Sequence, residues 1–187
     1  MVHKKYEKKP HVFIAGQSMG GTICFKLAIR NKDLYKGIIL LAPALRENYE
    51  ADAFMKKVAK CIGYLFPTMS TVEQSYGTGT KYDLTEIIKS DPHNYTGKVI
   101  PGTVRTILNA MEEVEKMYKL LEVPYIVFQG GVDKLVDPFA PLDLEKQSLS
   151  KDKTTIYIKG MWHSVFAEPE TADILEITSD WINDRTK

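Results

Sequence analysis

The turn Gly16-Gln17-Ser18-Met19-Gly20 constrains this chain more than any other feature, because of what stands on either side of it. Before it, His11 to Ala15 is a short apolar run of strand length; after it, Thr22 to Arg30 places Ile23, Leu27 and Ala28 on one helical face. The cluster Asn31-Lys32-Asp33 marks the helix exit, and a second apolar run, Gly37 to Ala42, is closed by Pro43. Both runs lack the alternation of a half-exposed strand. A strand, helix, strand sequence of this kind predicts a parallel sheet with a right-handed crossover, covered on both faces.

The same pattern returns late in the chain. Pro124 to Gln129 is stopped by Gly130-Gly131, and Thr154 to Ile158 is stopped by Gly160, giving about four parallel strands. Pro138 and Pro141 open a helix around residues 142–149, and Pro169 opens the last one, with Ala172, Leu175, Thr178 and Ile182 on one face. Between the two halves the alternation lapses. Phe54, Val58, Ile62 and Leu65 form one helical stripe ended by Pro67, and Val104, Ile107, Leu108, Met111, Val114 and Leu121 form another. The expected organisation is an α/β core over 1–45 and 123–187, interrupted by a helical insertion over 46–122 whose loops are 70–80 and 90–102.

At 187 residues the chain is expected to be one domain or a piece of one, and 44% hydrophobic residues suffice for a packed core. Lys and Arg number 25 against 24 Asp and Glu, so there is no net field to steer nucleic acid or an anionic membrane. The basic run from His3 to Lys9 reads as a solvated tail. Cys24 and Cys61 lack metal-ligand or disulfide spacing and are expected to be buried thiols. No metal or cofactor is expected, and no apolar run approaches the ~20 residues of a membrane span. The expected setting is intracellular, cytoplasmic or peripheral to a membrane.

The first turn satisfies Gly-x-Ser-x-Gly between a buried strand and a helix, the context in which a serine hydroxyl stands above the strand end at the positive end of a helix. A phosphate-binding loop is excluded, since Thr22 stands where that loop needs lysine. A serine needs a base, and the base an orienting acid. Of four histidines, His3 is in the charged tail, His11 lies at the wrong end of its strand, and His93 sits in a polar loop. His163, after the last strand, lies where open α/β sheets bind ligands. Asp133, just beyond the preceding strand, is the preferred acid; Asp137 is its competitor and fits a helix-capping role beside Pro138. The order Ser, Asp, His is that of α/β-hydrolases.

On Gly16-Gln17-Ser18-Met19-Gly20-Gly21, Leu40-Leu41-Ala42-Pro43, Asp91-Pro92, Tyr95-Thr96-Gly97-Lys98, Val123-Pro124, Gly130 with Asp133, Val136-Asp137-Pro138 and Gly160-Met161-Trp162-His163, the chain resembles the C-terminal two-thirds of a monoacylglycerol lipase-like α/β-hydrolase. The resemblance implies Ser18 as nucleophile, Asp133 as orienting acid, His163 as base and then acid, and the Met19 backbone N–H as an oxyanion donor. It also implies that 46–122 is a lid whose apolar helices line an acyl-chain channel. The substrate class so implied is a monoacylglycerol or lysolipid-type ester, with transient contact at a membrane surface.

Such proteins carry a further half-sheet of roughly a hundred residues before the elbow strand, including a loop that supplies the second oxyanion donor. The strand at His11–Ala15 is therefore expected to be an apolar edge, covered by another polypeptide, by a separate N-terminal half or by a second copy. Loss of one oxyanion donor lowers the rate by ~100- to 1000-fold, so a degenerate hydrolase-like subunit with a structural role is the alternative expectation.

Overall fold

A computed structural model describes residues 10–48, 53–69 and 79–187. Four strands, β1 (Phe13–Gln17), β2 (Gly37–Leu41), β3 (Tyr125–Gly130) and β4 (Lys153–Ile158), pair in parallel in the order β1-β2-β3-β4. Among the described residues six α-helices accompany them: α1 (Met19–Arg30), α2 (Ala53–Leu65), α3 (Thr85–Ser90), α4 (Pro101–Lys116), α5 (Ala140–Gln147) and α6 (Thr171–Asp184). The basic run at His3–Lys9 and most of the expected loop at 70–80 lie outside the described residues.

Continuous apolar strands are explained by burial on both faces. Ile38, Leu40, Tyr125 and Val127 pack with Phe25 and Ala28 of α1, Val114 of α4 and Leu144 of α5. The alternate residues Ile39, Leu41, Ile126 and Phe128 pack against Ile174 and Trp181 of α6. Each such side chain, wholly buried, contributes about 1.5–3 kcal/mol. The aromatic Trp181 closes the lower corner of the sheet, edge-on to Phe13 at 5.9 Å, and a Cβ on Gly37 would lie 2.4 Å from its ring.

Three expectations are corrected. The first strand runs two residues later than the apolar run, because Gly16 and Gln17 continue the pairing with Leu40 and Leu41. Cys61 is exposed, whereas Cys24 is buried. The stripe on α2 is only partly covered: Ile62 and Leu65 are exposed, and α2 instead meets α4 through Gly63, where a Cβ would lie 2.5 Å from the Pro101 carbonyl oxygen. Residues 46–122 hold α2, α3 and α4 but no strand among the described residues, and Glu47 forms an isolated bridge with Val136. Among the described residues no helix is long and apolar enough to cross a membrane.

Within the described sheet β1 is an edge strand, with Ala15 exposed. Since all strands run the same way, residues 18, 133 and 163, which follow β1, β3 and β4, lie along one rim.

Candidate active site

Ser18 sits between β1 and α1 with φ 52° and ψ −119°, a left-handed conformation that L-residues rarely adopt. Several backbone bonds hold it there. Its N–H donates to the Leu41 carbonyl at 3.0 Å, and its own carbonyl accepts from Gly21 N at 2.9 Å and Ala44 N at 2.9 Å. The turn can be this tight only because of its glycines: a Cβ on Gly16 would lie 2.3 Å from the Gly20 carbonyl carbon, and one on Gly21 would lie 2.6 Å from Pro43 Cβ. The residues after β2 are part of the same construction. Ala42 also has positive φ, 40°, and Thr22 Oγ1 donates to the Ala44 carbonyl at 2.5 Å.

Behind the elbow, burial pushes the Cys24 thiol above its ordinary range, so it stays protonated and unreactive. Met19 opens α1 and places its N–H at the helix's positive end, while the Gly21 and Thr22 N–H groups turn back to the Ser18 carbonyl.

His163 and Asp133 meet directly: Nδ1 lies 2.8 Å from Oδ2, with both residues buried. The other carboxylate oxygen, Oδ1, accepts from the backbone N–H groups of Leu135 at 2.8 Å and Val136 at 3.1 Å. Oδ2 accepts a further hydrogen bond, from Gln129 Nε2 at 3.1 Å. An ionised carboxylate is thereby given four donors without solvent. With Nδ1 committed to Asp133, the imidazole is held in the tautomer that leaves Nε2 free to accept a proton.

The loops bearing Asp133 and His163 are sewn together. Val132 N donates to the Met161 carbonyl at 3.2 Å, Lys134 lies over the Trp162 ring at 4.6 Å, and the buried Glu168 carboxylate accepts from Trp162 N at 3.2 Å. A Cβ on Gly130 would lie 2.3 Å from the Trp162 carbonyl oxygen. Residues 79 and 81 reach this region too: Ser164 N donates to the Gly79 carbonyl at 2.7 Å, and Lys81 pairs with Glu168 at 3.3 Å.

The elbow joins them through Gln17, whose Nε2 donates to the His163 carbonyl at 3.4 Å. The Ser18 hydroxyl itself makes no hydrogen bond among the described residues, the imidazole included; in substrate-free sites such contacts often tighten only when substrate binds. Asp137 is placed elsewhere. It is buried against Arg46 Nε at 2.7 Å and accepts from Phe139 N at 2.8 Å, a turn-forming role. His93 and His11 are exposed. Among the described residues no group of three His, Cys, Asp or Glu is placed to hold a metal.

Reasoning from sequence alone assigned no role to Gln129, Lys134 or Glu168. For Gln129 a signal was present, a polar residue ending the otherwise apolar strand run from Tyr125 to Phe128. The other two act through Trp162 and Lys81, contacts that only the folded chain makes.

A parallel sheet with a serine elbow on one strand end and a histidine–carboxylate pair on two others defines the α/β-hydrolase class. Residues 1–170 match the family described as serine aminopeptidase, S33, and the chain belongs to that family. It is 31% identical over 192 residues to a monoglyceride lipase of Homo sapiens, covering 99% of this chain and 62% of that protein. Among solved structures, the monoacylglycerol lipase of Paleococcus ferrophilus superposes with a TM-score of 0.81 at 22% identity, covering 94% of this chain and 69% of that one. A monoglyceride lipase of Saccharomyces cerevisiae, in complex with a substrate analogue, gives 0.80 at 18% identity, covering 94% and 62%. The chain thus spans about three-fifths of the length of its curated relatives and has the monoacylglycerol lipase-like α/β-hydrolase fold expected from its motifs.

Proposed function

We propose that the chain is a serine ester hydrolase that cleaves monoacylglycerol or lysolipid-type carboxylic esters through an acyl-enzyme. The observation that carries the reading is the buried 2.8 Å pair of His163 and Asp133 on the same rim as the strained Ser18 turn. Ser18 Oγ attacks the ester carbonyl carbon while His163 Nε2 takes its proton. The tetrahedral oxyanion is received by the Met19 N–H at the start of α1. His163 then returns the proton to the departing alcohol oxygen, leaving an acyl group on Ser18. Water attacks that ester by the same path, releasing the fatty acid. Asp133 stays ionised throughout and holds the imidazolium in place.

Residues 46–122 are assigned as the cap of this site, between core segments 1–45 and 123–187. Tyr64, Leu65, Phe66 and Met69, exposed together at the end of α2, suit transient contact with a lipid surface. A fluorophosphonate probe tests the chemistry. We expect one adduct, on Ser18, absent from the Ser18→Ala and His163→Ala variants; an intact folded chain that takes no label sinks the hydrolase reading and leaves the structural-subunit alternative.

The edge supports a partner as well. Met19, Ile23 and Leu27 form an exposed stripe along α1, beside a groove of about 480 Å³ lined by Ile23, Leu27, Ile29 and Met117. Apolar surface flanking an unpaired strand is a site for added polypeptide. Hydrogen exchange of those β1 amides that point away from β2 reads this out: protection of these amides only in the presence of another polypeptide is the expected result, and their protection in the isolated monomer contradicts it.

A further inference from the structure

The amide of Gln129 stands against the acid of the proposed triad with a cost attached. Gln129 ends β3 wholly buried, and Nε2 donates both to Asp133 Oδ2 at 3.1 Å and to the Gly130 carbonyl at 3.2 Å. Its carbonyl oxygen, Oε1, is equally buried and has no hydrogen-bond partner among the described residues. That orientation is forced. An ionised Asp133 only accepts, so turning the amide over would set two oxygens against each other. An apolar side chain of similar size would fill the buried strand position without an orphaned acceptor. What the amide supplies instead is a second donor on the very oxygen that receives His163 Nδ1.

We propose that Gln129 is a positioning residue for Asp133: its amide fixes the orientation of Oδ2 and shares that oxygen's charge, and so sets the strength of the Asp133–His163 hydrogen bond. The proposal rests on the hydrolase reading for its catalytic consequence, but its structural core, control of one hydrogen bond, can be read without turnover.

The experiment compares the full chain with Gln129→Met, which keeps the volume and removes the donor, and Gln129→Asn, which keeps an amide but withdraws it by one methylene. The signature is the downfield proton resonance of His163 Nδ1–H, assigned by its loss in His163→Ala. In both variants the resonance is expected to move or to broaden through solvent exchange. The Met variant is expected to melt no lower than the parent, having lost a buried orphan oxygen. With p-nitrophenyl butyrate as probe, kcat falls by roughly 3- to 10-fold and KM is unchanged, the worth of one hydrogen bond felt after binding. An unmoved resonance in either folded variant overturns the proposal, and so does a lowered melting temperature with the resonance in place, which would make Gln129 a packing residue. If the parent shows no hydrolysis while the resonance responds, the hydrolase reading fails and this inference stands.

Discussion

Ser18 carries its backbone strain in a position where a glycine would be relaxed, and φ of 52° for a residue with a Cβ costs of order 1–3 kcal/mol. The strain is independent of the hydroxyl. Ser18→Ala keeps it and Ser18→Gly releases it, so the glycine variant is expected to be the more stable of the two by about 1 kcal/mol in urea titration, with both inactive toward a serine probe. The neighbouring glycines separate just as cleanly. Gly16→Ala drives a methyl into the Gly20 backbone and should destabilise by several kcal/mol, whereas a Cβ on Gly20 meets nothing within 4 Å and Gly20→Ala should be tolerated. Equal melting temperatures for those two variants would refute this account of the turn. The motif's two glycines are alike in sequence but only one is sterically required.

At the scale of elements, the segment after β2 is tied by Arg46 to the loop that follows Asp133. Its guanidinium reaches Asp137 at 2.7 Å, Asp143 at 2.7 Å and Glu115 at 3.2 Å, and so joins the end of β2 to α4 and α5. Burial works against that charge, yet the hydrogen bonds to Asp143, Asp137 and Glu115 outweigh it and hold the guanidinium above its ordinary range. Asp137 has no solvent-exposed side-chain surface, so its carboxylate depends on this partner. Arg46→Met is expected to cost roughly 2–4 kcal/mol by equilibrium denaturation, because the orphaned buried charge is worse than the lost attraction alone. A loss below about 0.5 kcal/mol, the size of an exposed pair, would show that the network is solvated. Glu47 bridges to Val136 in the same stretch, so the variant should also loosen the turn whose N–H groups hold Asp133.

For the whole molecule, the two-sided core makes stability depend on pH at its alkaline end. Burial pushes Tyr125 up to about 12, although its hydrogen bond with Ser148 pulls the other way, and burial raises Tyr118 further still. A phenol that ionises later in the folded chain than in the unfolded one favours the unfolded chain as soon as the unfolded phenol begins to ionise. Its contribution is complete below the ordinary tyrosine value near 10 and is lost as pH climbs toward about 12. Stability should therefore decline through that window, and Tyr125→Phe should flatten the decline while losing the Ser148 hydrogen bond at neutral pH. An unchanged slope in urea titrations between those pH values would remove Tyr125 from the explanation.

What the sequence determined by itself was whatever is encoded locally. Four apolar runs, the glycines that stop them and the helices between them specify a parallel sheet, and serine, aspartate and histidine each announce themselves by standing just past a strand end. Tertiary structure decided what depends on partners distant in the chain. The register of β1 reaches Gly16 and Gln17 because Leu40 and Leu41 are there to pair with, and α2 comes close to α4 at Gly63 because a glycine there leaves room for the Pro101 backbone. The choice of Asp133 over Asp137 follows the same rule: four residues apart, both are buried, and only folding brings one to His163 and the other to Arg46. Side-chain periodicity reports which face is buried, but hydrogen-bond partners are a property of the assembled rim, and no local pattern encodes them.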